Sequence, residues 1–178
     1  GVALQGDIRS YLMKAGKPAF VTETFLSFEE AYELILALGG IPCYPTLADG
    51  AKVTCEYEQT PEQLVESLKK NNIHMAELIP IRNTPEVLRS YVKAMDEAGI
   101  AVVGGTEHNT LDLLPIEPQC VGGAEIDDDI KEIFYKGLCV AIAHQFLTLN
   151  GREGFVNAKG DKVASPDEMA AVGRALLA

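Results

Sequence analysis

The sequence has few positively charged side chains and no apolar run long enough to span a bilayer. Lys and Arg together number 15 against 26 Asp and Glu, which gives a net charge of −11. Because so acidic a surface repels phosphate backbones and anionic lipid, nucleic-acid and membrane-surface roles are disfavoured. No apolar stretch approaches the roughly 20 residues of a membrane span, and the N-terminus lacks a basic-then-apolar signal pattern. We therefore predict a cytoplasmic protein with no nucleic-acid partner and no membrane partner.

Several signatures of catalysis and metal binding are also missing. The four cysteines show no CxxC pairing and no dense framework, which is typical of reduced thiols rather than disulfides. The chain contains no GxGxxG after a strand, no GxxxxGK[ST] loop, no GxSxG elbow and no HEXXH or HxH pair. Dinucleotide binding, P-loop chemistry, serine-hydrolase chemistry and a self-contained zinc site therefore have little support.

Helix starts, by contrast, are well marked. Ser27 and Ser165 each precede a glutamate by three residues, which is the pattern of a capping box. Thr60 and Thr84 are each followed by proline, the residue favoured at the first helical position. Behind the first three caps, apolar residues recur at helical spacing, for example at Ala31, Leu34, Ile35 and Leu38. These patterns predict three amphipathic helices and a short helix near the C-terminus.

Each amphipathic helix leads through a turn into a short apolar run. The turns "GG", "NN" and "AG" precede "IPCYP", "IHMAELIPI" and "IAVVGG", and an earlier run, "PAFVTE", predicts one more strand. Strands that alternate with helices are typical of an α/β fold with parallel pairing. About four strands are too few for a closed eight-stranded barrel, which needs at least about 200 residues. We expect either a small open sheet or a partial or distorted TIM-like (β/α) barrel.

We expect residues 1–178 to form a single domain. The chain lacks an initiator methionine and soon enters a helical pattern, which suggests the C-terminal portion of a longer barrel protein. A long, mostly apolar helix is predicted from Asp127 to Leu149, opened by three aspartates that suit the positive end of the helix dipole. Residues 150–178 are predicted to form a polar loop and a short final helix.

Polar residues follow three of the predicted strands. Because the carboxyl ends of parallel strands meet at one edge, these residues are expected to converge on a common site. The stretch "GGTEHNT" is one of the three strand ends, and the candidates are Tyr44, Thr46 and Asp49, then Glu77, Arg82 and Asn83, and last Thr106, Glu107, His108 and Asn109.

Structural roles are open for several of these residues. Glu77 lies in an apolar run and could form an ion pair with Arg82 instead of a ligand contact. Asn109 could act as a turn residue. Of the other histidines, His144 is predicted to be a hydrogen-bonded core residue within a helix, and His74 to lie at the surface.

Three segments resemble the C-terminal half of the polymerase-and-histidinol-phosphatase (PHP) domain family, whose members are distorted-barrel, metal-dependent phosphoesterases. "SFEEAYELILALGGIPCYP" is similar to a helix, turn and strand that ends in Ala-His-Pro in that family. "NNIHMAELIPIRN" is similar to a strand of the form Gly-Ile-Glu-x-x-Asn, and "AGIAVVGGTEHN" to one that ends in Gly-Ser-Asp-x-His. The similarity runs from about Ser27 to His108.

The resemblance implies a divalent metal (Mn, Zn or Mg) and hydrolysis of a small anionic substrate. It implies Glu77, Glu107 and His108 as metal ligands, with Glu107 and His108 also catalytic. Tyr44, Arg82 and Asn109 would contact substrate. Tyr44 stands where the family has a ligand histidine, and Glu107 stands for its aspartate. Asn109 stands for its final histidine, unless His108 takes over that role. These substitutions imply fewer metals or a loss of hydrolysis.

Two other functions fit the same pattern. The chain could be a non-catalytic α/β module that binds a small ligand, or that packs as half of a barrel against a missing N-terminal half or a second copy. It could also be a sugar-processing barrel such as an isomerase, which shares the position of the site and differs in substrate.

Overall fold

The structure is a computed structural model that describes residues 1–22, 24–46, 55–106, 108 and 115–178. A π-helical turn (Arg9–Met13) follows the first helix, and 3-10 turns occupy Glu56–Glu58, Pro80–Arg82 and Val121–Gly123. The helices are α1 (Val2–Ile8), α2 (Phe28–Ala37), α3 (Pro61–Lys70), α4 (Pro85–Glu97), α5 (Asp128–Leu149) and α6 (Pro166–Leu177), and the strands are β1 (Cys43–Pro45), β2 (Met75–Leu78) and β3 (Ala101–Gly104).

Polar side chains cap the four helices whose starts the sequence marks. Ser27 and Ser165 form complete capping boxes with the glutamate three residues later. The hydroxyls of Thr60 and Thr84 each accept one backbone N–H from the first turn of the helix that follows. The predicted helix starts are therefore confirmed, because each cap satisfies donors that a helix end leaves unpaired.

The three strands form one parallel sheet in the order β1-β2-β3. This confirms the prediction of an α/β protein with parallel pairing. The strand predicted at "PAFVTE" is wrong for its described part, because residues 18–22 are exposed and outside the sheet. The run has the apolar residues of a strand, but in the described part of the chain it pairs with none of the three strands.

Each face of the sheet has its own hydrophobic cluster. On one face Ala76 and Val102 pack among buried residues of α3 and α4. On the opposite face Met75 and Ala101 pack against the C-terminal half of α5 and against α6. Side chains alternate between the faces along each strand, so the faces differ in what they offer at the carboxyl ends of the strands.

Both outer edges of the sheet are blunted. At β1, Thr46 donates its N–H to the Glu77 carbonyl at 2.9 Å, so Pro45, one residue earlier, is oriented to the outer edge. The proline ring offers no N–H there. At β3, α5 lies directly on the backbone, since a Cβ on Gly137 would collide with the carbonyl group of Val102. A helix placed over a strand edge prevents further strands from pairing there.

The N-terminal arm (residues 1–22) lies outside both clusters. Apart from half-buried Ser10, every described side chain of the arm is exposed. Helix α2 is also poorly buried, because none of its residues is fully buried. Its half-buried residues Tyr32 and Leu36 contact the two clusters, whereas Leu34 and Ile35 point outward. Two adjoining apolar surfaces are thus uncovered in the described part of the chain.

The structure bears on the predicted reduced cysteines and on the predicted lack of a membrane span. None of the four cysteines, all of which are described, forms a disulfide. Among the helices of the described ranges, none combines the length and the apolar character needed to cross a membrane.

Candidate functional site

The carboxyl ends of the three strands meet at one rim of the sheet. Thr46, just after β1, bonds to the carbonyl of Glu77, and Gly105, just after β3, donates its N–H to the Leu78 carbonyl at 2.7 Å. The parallel ladder therefore continues one residue past β1 and β3. The expectation that these strand ends meet at one edge is confirmed.

Glu77 lies against the backbone of the segment that leads to His108. A Cβ on Gly105 would fall well inside van der Waals distance of the Glu77 carboxylate, so the missing side chain is what admits the carboxylate. Glu77 is half-buried. Burial and the nearby Glu77 carboxylate raise the pKa of the Cys43 thiol to about 12, which keeps that thiol protonated at neutral pH. Glu77 thus places a negative charge on the rim.

A small cleft, with a cavity volume of about 30 Å³, opens beside the end of β3. Thr106 and His108 line it, and the Thr106 hydroxyl lies 2.9 Å from His108 Nδ1. His108 is exposed at the edge of the cleft. Segment 115–119 forms the opposite wall through Pro115, Glu117, Pro118 and Gln119, which the sequence reasoning missed because the segment carries no regular element.

Arg82 and Asn83 follow Ile81, the residue of the turn after β2 that lines the cleft. Arg82 is exposed at the end of the 3-10 turn after β2, next to Ile81, which lines the cleft. Asn83 is 1% exposed; its amide donates to the Ile79 carbonyl at 3.1 Å, and its own carbonyl accepts the Val121 N–H at 2.8 Å. Asn83 therefore holds the loop of the opposite wall in place, while Arg82 lies at the surface beside it.

Tyr44 does not lie on the same face of the sheet as Glu77. It pairs with Ala76 in the ladder, whereas Glu77 pairs with Pro45, so Tyr44 and Glu77 point to opposite faces of the sheet. The Tyr44 hydroxyl donates to the Glu58 carboxylate. Burial, and then the hydrogen bond to Glu58, raise the pKa of Tyr44 well above its ordinary value. The expectation that the side chains of Tyr44 and Glu77 open onto one mouth is therefore wrong.

Glu58, the partner of Tyr44, is a buried carboxylate that the sequence did not indicate. It is 0% exposed, and its backbone carbonyl accepts the Tyr91 hydroxyl at 2.7 Å. The polar stretch "CEYEQT" around it is typical of a surface loop, so nothing local predicts its burial. The two tyrosine hydroxyls come from β1 and α4, and only the fold brings them together.

The other two histidines are structural. His144 is 4% exposed; its Nδ1 accepts the Phe155 N–H at 2.9 Å and its Nε2 lies 3.0 Å from the Gly39 carbonyl. These partners require the neutral ring with hydrogen on Nε2, and they confirm the predicted core histidine. His74 is half-buried against Phe155, so its predicted surface position is wrong.

Metal binding needs more donors than the described part of the rim brings together. Glu107 and Asn109, like Asp49, lie outside the described residues. Among the described residues, no three His, Cys, Asp or Glu side chains are grouped so that they could hold a metal ion. Tight sites commonly use three or four protein ligands, so Glu77 and His108 alone do not fit a divalent metal.

No protein-family model, curated protein or solved structure matches the chain. The chemistry of the rim is therefore the basis for a functional proposal. Its described polar groups include the half-buried carboxylate of Glu77, the exposed carboxylate of Glu117, the exposed imidazole of His108 and the exposed guanidinium of Arg82. Such a set can bind an anion and transfer a proton beside it.

Proposed function

We propose that this chain forms one wall of a hydrolase site for a small anionic substrate, of the PHP-like phosphoesterase type. One observation carries the proposal: the Glu77 carboxylate lies on Gly105, immediately before the segment that presents His108 to the cleft. A carboxylate at one strand end and an exposed imidazole after the next strand are residue types suited to acid–base catalysis.

Each described rim residue has a role in this proposal. His108 exchanges a proton with water or with the leaving group, and the Thr106 hydroxyl orients its ring. Arg82 binds the negative charge of the substrate through its planar donors. Glu77 supplies a carboxylate at the neighbouring strand end, against Gly105. Tyr44, which we expected to contact substrate, is assigned instead to the support of β1 through Glu58.

The metal of the family that the chain resembles is a separate part of the proposal. If held there, a divalent ion would supply a bound water of lowered pKa and would polarise the scissile group. Glu107 would have to join Glu77 and His108 to hold it. No step assigned above to Arg82, Thr106 or His108 depends on that ion.

We propose that the chain is a partial TIM-like barrel. We also propose that it is located in the cytoplasm. The parallel helix-strand units support a relation to (β/α) barrels, and the two blocked edges of the sheet leave any such barrel open. The acidic composition supports a small-molecule substrate over nucleic acid.

The test is hydrolysis of p-nitrophenyl phosphate by the full chain, with and without Mn, Zn or Mg. His108→Gln is expected to lower kcat by about 10²–10⁴-fold, which is the usual contribution of a general acid or base. Gly105→Ala is expected to lower it by up to about 100-fold with little change in stability, because its Cβ displaces the flexible Glu77 carboxylate. Glu97→Gln, at the exposed end of α4 far from the strand exits, is the control.

Binding of inorganic phosphate separates this proposal from the non-catalytic alternative. Binding that Arg82→Gln abolishes, without turnover under any metal condition, would favour a ligand-binding module. Absence of both binding and turnover would rule out both functions at this rim. Turnover that His108→Gln and Gly105→Ala leave intact would also contradict the proposal.

A further inference from the structure

We propose that the N-terminal arm of one chain docks on the outward face of α2 in a second copy, and that the exchange is reciprocal. The surface on α2, which we name the outer stripe, consists of Leu34, Ile35 and Leu38. The proposal does not depend on the hydrolase function, since neither surface includes a rim residue.

The arm has the pattern of a helix that buries one side. Leu4, Ile8, Tyr11 and Leu12 are spaced i, i+4, i+7 and i+8, which places them along one stripe of a helix. The structure leaves all four exposed, Leu4 by 60% and Tyr11 by 69%. An amphipathic segment gains most of its stability from packing its apolar side, so this segment needs a partner surface.

The outer stripe is the matching surface on the body of the protein. Leu34 and Leu38 are 49% and 78% exposed, and Ile35 is 37% exposed. They belong to the same helical periodicity that predicts an amphipathic helix, yet the side of α2 that contacts the clusters carries Tyr32 and Leu36 instead. Helix α2 therefore has a firm inner contact and an unoccupied apolar outer side in the described part of the chain.

Charge complementarity identifies the occupant. Residues 1–22 carry Arg9, Lys14 and Lys17 against the one acidic residue Asp7, although the chain as a whole has a net charge of −11. Helix α2 carries three glutamates, at positions 29, 30 and 33, and no basic residue. An interface gains specificity and association rate when a positive patch meets a negative one. The arm is the basic apolar segment that this acidic apolar helix fits.

A second copy satisfies both surfaces of both chains. Among the described residues of a single chain, the arm lies outside both hydrophobic clusters and, apart from half-buried Ser10, its side chains are exposed. Each chain carries one arm and one outer stripe, and two such chains related by a two-fold axis can exchange arms in a closed dimer.

The experiment measures mass in solution by light scattering and sedimentation across a concentration series. The wild-type chain is expected to be dimeric, and the dimer to weaken between about 0.1 and 1 M salt, as the Debye length falls from about 10 to 3 Å. Leu38→Lys is expected to give a monomer. Leu149→Lys is the matched control, since Leu149 is 79% exposed at the end of α5 and is expected to leave the dimer intact.

Two charge-reversed variants give the decisive comparison. One variant changes Arg9, Lys14 and Lys17 to Glu, and the other changes Glu29 and Glu33 to Lys; Glu30 is kept because it serves the capping box. Each variant alone sets like charges against each other and is expected to dimerise at least about tenfold more weakly. Mixed in equal amounts, they restore opposite charges at both contacts and are expected to form a one-to-one heterodimer.

Three results would overturn the proposal. The first is a wild-type monomer at all concentrations, the result expected if the arm folds back on its own α2. The second is a dimer that both charge-reversed variants retain. The third is a monomer that sediments with anionic vesicles through the arm, which would assign the arm to a lipid surface. Circular dichroism of each variant confirms that the body is folded.

Discussion

Replacement of Gly137 by alanine tests whether α5 is seated on the edge of β3. A Cβ at this position would lie 2.0 Å from the carbonyl oxygen of Val102, and ordinary contact begins at 3.4 Å. The obstacle is backbone on both sides, so no side chain can rotate away. Helix α5 would therefore have to retreat from β3 by about 1.4 Å.

The size of the effect follows from two opposing contributions. Overpacking of this kind costs about 1–3 kcal/mol, and a gap of 0.5–1 Å already removes about a quarter to a half of the dispersion energy at each contact. Alanine is about 1 kcal/mol more favourable than glycine in a helix interior, which offsets part of this loss of stability. We expect a net loss of about 1–2 kcal/mol in unfolding free energy, equivalent to about 2–8 °C in Tm for a chain of this length.

Urea denaturation followed by far-UV circular dichroism measures this loss. Gly6→Ala is the control, because Gly6 is also helical but has nothing within 4 Å of its added Cβ. That variant is expected to unfold at the wild-type urea concentration or slightly above it. If Gly137→Ala were as stable as the wild-type chain, α5 could not lie on the β3 backbone as described.

Two further predictions concern buried polar groups. Tyr44→Phe removes a donor from the buried Glu58 carboxylate and is expected to cost about 1–3 kcal/mol of unfolding free energy in the same urea assay; an unchanged midpoint would argue against this role. The pKa of His74 is lowered from 6.5 by burial and then by the charge of Lys162, so the folded state favours the neutral ring. Stability is therefore expected to be complete above about pH 6.5 and to decline as pH falls below it, because the unfolded chain then binds the proton more readily. His74→Gln should reduce that decline between pH 7 and 5, and an equal decline in the variant would contradict the assignment.

Local signals account for what the sequence predicts correctly. A serine or threonine with glutamate or proline behind it satisfies backbone donors within one turn, so Ser27 and Thr84 mark helix starts without reference to the rest of the chain. The alternation of helices and apolar runs likewise indicates parallel strands. Helix α5 begins and ends within one residue of its prediction.

Long-range relations account for what the sequence does not reveal. The periodicity of Leu34 and Leu38 identifies an apolar stripe, but it does not say which neighbour covers that stripe. Tyr44 and Glu77 were grouped by strand exit, whereas their faces depend on a register that pairs Tyr44 with Ala76. The close approach of Gly137 to Val102, 35 residues away in sequence, likewise becomes visible only in the fold.

The proline at one border of the sheet and the helix at the other have a consequence for behaviour at high concentration. Exposed strand backbone is the usual template on which chains stack into cross-β fibrils, and here one border lacks a donor and the other is hidden. At high concentration, we therefore expect this protein to associate through side chains into complexes of fixed stoichiometry and not to form fibrils.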